Sequence, residues 1–207
     1  MDGRVVQAMG VRVDKGARIV IDGRPVAAPP KHRYLMLNKP AGVVSTARDE
    51  RGRRTVVSLV DARGSRLYPV GRLDADSEGL ILLTNDGEWA EHVLHPRYGH
   101  EREYEVTASG EVTPAAVAQL RRGVPLDEGL ARAVSVRLLG RLAHGARLRF
   151  VLRTGWRRQI RRMCEAVGLR VTRLVRVRVG SLRLGDLGPG LWRELTPREV
   201  ARLRTAG

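Results

Sequence analysis

The chain has 207 residues, with 38 lysines and arginines against 22 aspartates and glutamates, a formal charge of +16. A balance that basic does not suit selective capture of small acidic metabolites; it creates a field that concentrates and orients a polyanion. No apolar stretch approaches the roughly 20 residues of a membrane-spanning helix, and Met1 to Gly10 lack the apolar core of a signal peptide. One cysteine, Cys164, excludes an internal disulfide framework and fits a reducing cytoplasm.

Val11–Asp14 and Arg18–Val26 alternate like two short strands, with Asp22-Gly23 as a turn signal. Ala27-Ala28-Pro29-Pro30-Lys31 reads as a linker, because two prolines continue neither a helix nor a ladder. The expected division is therefore a front piece, residues 1–30, and a main domain, residues 31–207. About 30 residues bury little core of their own.

In the main domain, Tyr34–Asn38 and Gly42–Thr46 are expected as strands either side of Lys39-Pro40. Leu80–Leu83 reads as a short, fully buried strand bounded by Gly79 and Asn85-Asp86-Gly87. Asp86 is placed to cap a helix over Glu88–Leu94 that ends near Pro96. Arg102–Ala108 alternates as a strand, and Thr113-Pro114 opens a helix to about Arg122. Ala133–Leu139 and Arg147–Arg153 alternate apolar residues with arginine. Trp156–Val167 is expected as a helix stopped by Gly168, Val171–Val179 as another strand, and Thr196-Pro197 as the start of a last helix. Interleaved hairpins and helices predict the α+β class: a mixed, mainly antiparallel sheet with flanking helices.

Chemistry concentrates in three places. Asp74 sits beside Arg72 on a short polar loop directly ahead of Leu80–Leu83, and a rigid strand behind a short loop is how scaffolds present a reactive group. In the helix expected from Trp156, the apolar face is Ile160, Met163, Cys164 and Val167, which leaves Arg158, Arg161 and Arg162 clustered on the other side. Only Lys15, Lys31 and Lys39 are lysines, and arginine forks match phosphates and stack on bases. Cys164 reads as an inert core thiol. His92, His95 and His100 are spaced too irregularly for a metal, and no Cys/His cluster has zinc spacing.

Several segments between about Tyr34 and Val200 resemble the rRNA pseudouridine synthases: Leu37-Asn38-Lys39-Pro40-Ala41-Gly42, Gly71-Arg72-Leu73-Asp74, Glu101-Arg102-Glu103-Tyr104-Glu105-Val106 and Gly155-Trp156-Arg157-Arg158-Gln159-Ile160-Arg161-Arg162-Met163. The resemblance implies a sheet with a central catalytic cleft. It also implies Asp74 as the catalytic carboxylate, Tyr104 as the ring that packs on the target pyrimidine and takes part in proton transfer, and Arg161 as the partner of Asp74. Lys39, Arg72, Arg102, Arg158 and Arg162 become the expected RNA contacts. The reaction breaks a glycosidic bond, turns the uracil and rejoins it through carbon, with no redox change, so no cofactor and no metal are expected. Arg173-Leu174-Val175-Arg176-Val177-Arg178-Val179-Gly180 resembles the branch acting on ribosomal uridines, closer to its large-subunit members. The partner so implied is ribosomal RNA or a pre-ribosomal particle, met by a cytoplasmic monomer with no membrane association. The front strand pair resembles the second half of the small RNA-binding domain named after ribosomal protein S-four. The two helices that normally open that domain are missing, so either it is degenerate or its true start lies upstream of Met1.

One departure stands out. Thr154-Gly155-Trp156 replaces the family's acidic-Gly-basic run, so a charge contact becomes a stacking or packing contact. The rival reading is a non-catalytic rRNA-binding or ribosome-assembly protein. It needs the same charge but gains nothing from a carboxylate in the cleft. A DNA-binding regulator fits worse, since no helix-turn-helix or zinc-finger pattern is present.

Overall fold

The computed structural model describes residues 3–13, 16–26 and 31–205, which fall into two compact units, Met1–Lys31 and His32–Gly207. In the first, β1 (Val20–Ile21) pairs antiparallel with β2 (Arg24–Pro25). Asp22 and Gly23 both take positive φ, 51° and 75°, as a two-residue hairpin turn of the twisted type demands. Val11–Val13 is not a strand; Asp14, Lys15 and the expected linker residues 27–30 lie outside the described residues.

The second unit is built on β3 (Tyr34–Lys39), β4 (Tyr68–Val70), β5 (Glu78–Thr84), β6 (Arg102–Ser109), a small hairpin of β7 (Val124–Leu126) and β8 (Gly129–Ala131), β9 (Ser135–Leu142), β10 (Gly145–Leu152), β11 (Arg170–Val179), β12 (Leu182–Arg183) and β13 (Trp192–Glu194). Its helices are α1 (Gly87–Leu94), α2 (Pro114–Arg122), α3 (Gln159–Glu165) and α4 (Pro197–Thr205). The main sheet runs β13-β3-β5-β11-β6-β10-β9, with β4 beside β5 and β12 beside β11. All pairings are antiparallel except β5 with β11, which is parallel. The expected mixed sheet with flanking helices is thus the observed one.

β3 and β5 are buried on both faces, which explains their unbroken apolar runs. Leu35, Leu37, Ile81 and Leu83 join one core with Tyr104, Phe150 and, from α3, Ile160, Met163 and Cys164. Met36, Leu80 and Leu82 join the other with Trp89 and Val93 of α1 and Leu203 of α4. The caps follow the sequence: Asp86 accepts from Trp89 N, and Thr113 accepts from Ala116 N with Pro114 at the first helical position.

Two expectations fail in this unit. Gly42–Thr46 is not a strand: Gly42 has φ 84°, and Val44 makes only an isolated bridge to Thr55. The helix expected over Trp156–Val167 begins only at Gln159. The first stretch braces the loop that carries Asp74, and Trp156–Arg158 lines the cleft.

Candidate active site

Asp74 stands on the loop between β4 and β5, and that loop is fixed from four sides. The Ser45 hydroxyl donates to Leu73 O at 2.7 Å and accepts from Leu73 N at 3.1 Å. Gly42 N donates to Ala75 O at 2.7 Å, and Ser77 N to Asp74 O at 3.0 Å. Lys39 Nζ donates to the carbonyls of Pro40, Ala75 and Ser77 at 3.0, 3.2 and 2.6 Å. Arg176, on β11, donates from Nε to Leu80 O at 2.7 Å and from Nη1 to Arg72 O at 3.4 Å, bonding residues on either side of the Asp74 turn. So the segment read as a strand, Gly42–Thr46, is instead a brace that bonds the loop through the Gly42 amide and the Ser45 hydroxyl.

A close approach sits behind the loop. Gly79 has φ 102°, and a Cβ there would lie 2.3 Å from Arg176 O. Only glycine lets β5 lie against β11 at this point.

The loop opens on a cavity of about 840 Å³ whose lining includes Arg72, Asp74, Arg102, Tyr104, Trp156, Arg158 and Arg176. That is the size range of small-ligand sites. The Asp74 side chain is 32% exposed. Tyr104 is only 8% exposed, held in mid-strand by Phe150 of β10 on one side and Arg176 of β11 on the other.

The arginines are distributed differently from expectation. Arg158 Nη1 lies 3.1 Å from Asp76 Oδ2 and 3.9 Å from Asp74 Oδ2. Arg161, expected opposite Asp74, has its ion pair with Asp76 Oδ2 at 3.3 Å, and it also donates to Asp76 O and Val171 O. Asp76 therefore gathers both guanidiniums. Burial pushes its carboxyl upward, but the Arg158 hydrogen bond and the charges of Arg161 and Arg158 outweigh that and hold it below its ordinary value. Arg158 takes a left-handed backbone, φ 50°, a strained conformation for a side-chain-bearing residue. The turn carrying it is pinned by buried Gln159, whose side chain accepts from Trp156 N at 3.1 Å and bonds Thr154 Oγ1. This is why α3 starts late: Gln159 holds Thr154–Arg158 as a loop over the cavity.

Two expected phosphate contacts are placed elsewhere. Lys39 is entirely buried and its three donors are taken by carbonyls, so it supports the loop instead of meeting RNA. Burial pulls its pKa down to about 8, against the raising influence of Asp76, Glu78 and Asp74. Arg162 is tied to Asp127 at 3.4 Å and Glu128 at 2.6 Å. Arg72 is exposed on the cavity rim, and Arg102 lies half-buried in the lining. Cys164 is buried in the core, and that burial raises its thiol to about 12. Sequence reading overlooked Asp76, Ser45 and Arg176. For Arg176 there was a signal: it shares the inward register of β11 with Leu174, and a charge on an apolar face needs a reason.

The RNA pseudouridylate synthase signature matches residues 33–166. The chain belongs to that family. An RNA pseudouridine synthase of Aquifex aeolicus is 37% identical over 98% of this chain and 82% of that protein. The ribosomal large subunit pseudouridine synthase B of Bacillus subtilis is 38% identical over 99% of this chain and 84% of its own length. A crystal structure of a pseudouridylate synthase superposes with a TM-score of 0.74 at 28% identity, over 98% of this chain and 86% of that one. The matched region contains Asp74, Tyr104 and Arg161 and ends just after α3; β11, which carries Arg176, lies beyond it.

Proposed function

We propose that this synthase converts a uridine of large-subunit ribosomal RNA to pseudouridine, with Asp74 acting at the ribose. The observation that carries the reading is a braced, solvent-accessible carboxylate in a basic cavity beside a buried tyrosine. Asp74 attacks the anomeric carbon or takes the proton from its neighbour; the same placement serves both. Tyr104 offers a ring face to the base, where stacking is worth about 1–3 kcal/mol, and a hydroxyl for proton transfer. Asp76 holds Arg158 and Arg161 as a cationic wall next to Asp74, so the charge expected from Arg161 alone is shared by two arginines. Arg72, Arg102 and Arg157 remain for the RNA.

The choice of ribosomal RNA is supported by the names of the Bacillus relative and of its counterparts in Haemophilus influenzae and Vibrio cholerae, which are 37–41% identical to this chain, and by the excess of positive charge. The target must leave its stack to enter the cavity, at a cost of a few kcal/mol, which favours a looped or weakly paired uridine. We assign residues 1–30 to RNA targeting and residues 31–207 to catalysis. Carbodiimide mapping of pseudouridine in ribosomal RNA, with and without the gene, tests the reading. One pseudouridine of the large-subunit RNA should disappear on deletion; an unchanged map would favour the assembly-protein alternative.

A further inference from the structure

Of the arginines that line the cavity, Arg153 and Arg158 have carboxylate partners, Glu101 and Asp76, and Arg72 and Arg157 are exposed. Arg176 is neither paired nor exposed. It is 4% exposed, it lines the cavity, and among the described residues no carboxylate lies within ion-pair distance of it. Its Nε and Nη1 are held by neutral carbonyls, and Nη2 has no hydrogen bond among the described residues. Arg102 lines the same cavity, hydrogen-bonded only to His100 O at 3.3 Å, and it too has no carboxylate partner there. Burial, with Arg176 adding to it, pulls Arg102 below its ordinary value. A buried charge without a counter-charge is costly, and two in one cavity are costlier still. The register then says where they sit. Arg176 is directly opposite Tyr104 across β11 and β6, and Arg102 is two residues from Tyr104 on the same face.

We propose that Arg176 and Arg102 are the counter-charge for the uracil itself while it is detached from the ribose. The inference rests on the uridine-isomerising reading above. When the C1′–N1 bond breaks, its electron pair leaves with the base, whether Asp74 has attacked C1′ or removed the C2′ proton. The uracil is then an anion, its charge spread over N1 and the carbonyl oxygens. When C5 bonds to C1′, the carboxylate leaves C1′ or the proton returns to C2′, and the C5 proton finally moves to N1, so nothing is gained or lost overall. A phosphodiester suits the site less well. The RNA backbone must enter and leave the cavity, which keeps it at the rim with exposed Arg72 and Arg157, whereas the base goes to the tyrosine. Fixed donors aimed at a charge that develops only during reaction are the arrangement that lowers a barrier.

The test compares Arg176→Gln with the wild type on a ribosomal RNA fragment carrying uridine or 5-fluorouridine at the target. Fluorine withdraws electrons and stabilises the same anion from within the base. Single-turnover loss of the target nucleoside is followed by chromatography after digestion, alongside RNA affinity. On uridine, Arg176→Gln should be slower by about 10²-fold, the typical effect of removing one such donor, with affinity close to wild type. On 5-fluorouridine its deficit should shrink by about tenfold, corresponding to about 1.4 kcal/mol. An equal deficit on both substrates would overturn the proposal and leave Arg176 as a brace for the Asp74 loop. Lost affinity with an unchanged rate would overturn it in favour of a phosphate contact. Arg102→Gln, which removes no bond to that loop, should show the same substrate dependence even if Arg176→Gln fails to fold; its absence there would equally count against the proposal. A wild-type chain inert on both substrates would instead defeat the isomerising reading on which this one stands.

Discussion

Asp74 was singled out in sequence by the resemblance of Gly71-Arg72-Leu73-Asp74 to a family motif, and the structure places it on a short loop that lines the cavity. What supports it was not legible, since Ser45, Lys39 and Arg176 bond loop residues 28, 36 and 104 positions away in the chain. The partner of Arg161 was misread for a related reason: Asp76 is only two residues from Asp74, and spacing alone does not tell which carboxylate turns toward α3. This gives a prediction. Asp76→Ala should free Arg158 and Arg161 together and slow turnover by about 10²-fold through misplacement, with RNA affinity unchanged or higher, as measured in single-turnover and filter-binding assays. Tyr104→Phe separates stacking from proton transfer: affinity should persist while the rate falls on the order of 10²–10⁴ if the hydroxyl moves a proton. Lys39 gives a pH signature. Its pKa falls from the ordinary 10.5 to about 8 in the folded protein, so the unfolded chain binds the extra proton between those values. Folding is therefore penalised below pH 8, and the penalty is relieved as pH rises from 8 to 10.5. Urea unfolding should show the wild type gaining on Lys39→Met across that window, by at most about 1.4 kcal/mol per pH unit. A constant difference between the two would mean that Lys39 is not desolvated.

At the scale of elements, the strands buried on both faces and the capped helices could be read directly, because Leu80–Leu83, Asp86 and Thr113-Pro114 carry local signals that tertiary packing leaves intact. The errors fell where a side chain outside the element decides the backbone. Gly42–Thr46 has strand-like composition, yet Ser45 and the Gly42 amide are committed to Leu73 and Ala75, so no ladder forms. Trp156–Arg158 has helical composition, yet Gln159 draws Thr154 and Trp156 into a loop. Short strands such as β4 and β13 were missed because three residues carry no period to read. The contact of β5 with β11 makes the strongest prediction at this scale. Gly79→Ala places a methyl group against the Arg176 backbone at a φ that alanine resists, and should destabilise by about 3 kcal/mol. Thermal or urea unfolding measures it, and a loss under about 1 kcal/mol would mean that the two strands separate easily at that point.

For the molecule as a whole, composition pointed to a polyanion before any motif did, and no helix among the described residues is long and apolar enough to cross a membrane. Which arginines meet RNA was beyond composition, because ion pairing removes some of them from service. Arg162, held by Asp127 and Glu128, should therefore contribute little to RNA affinity. Exposed Arg72 and Arg157 should each lower the slope of log affinity against log salt by about 1 when replaced by alanine. A fall in slope for Arg162→Ala but not for Arg72→Ala would reverse that assignment. The central claim, that this family member uses Asp74 to isomerise a ribosomal uridine, is tested most directly by complementation. Cells lacking the gene receive the wild type or Asp74→Asn, which is nearly the same size but uncharged, and pseudouridine is mapped in their ribosomal RNA. The wild type should restore one pseudouridine in the large-subunit RNA, and Asp74→Asn should restore none while folding and binding RNA normally. Restoration of that pseudouridine by Asp74→Asn would contradict the account.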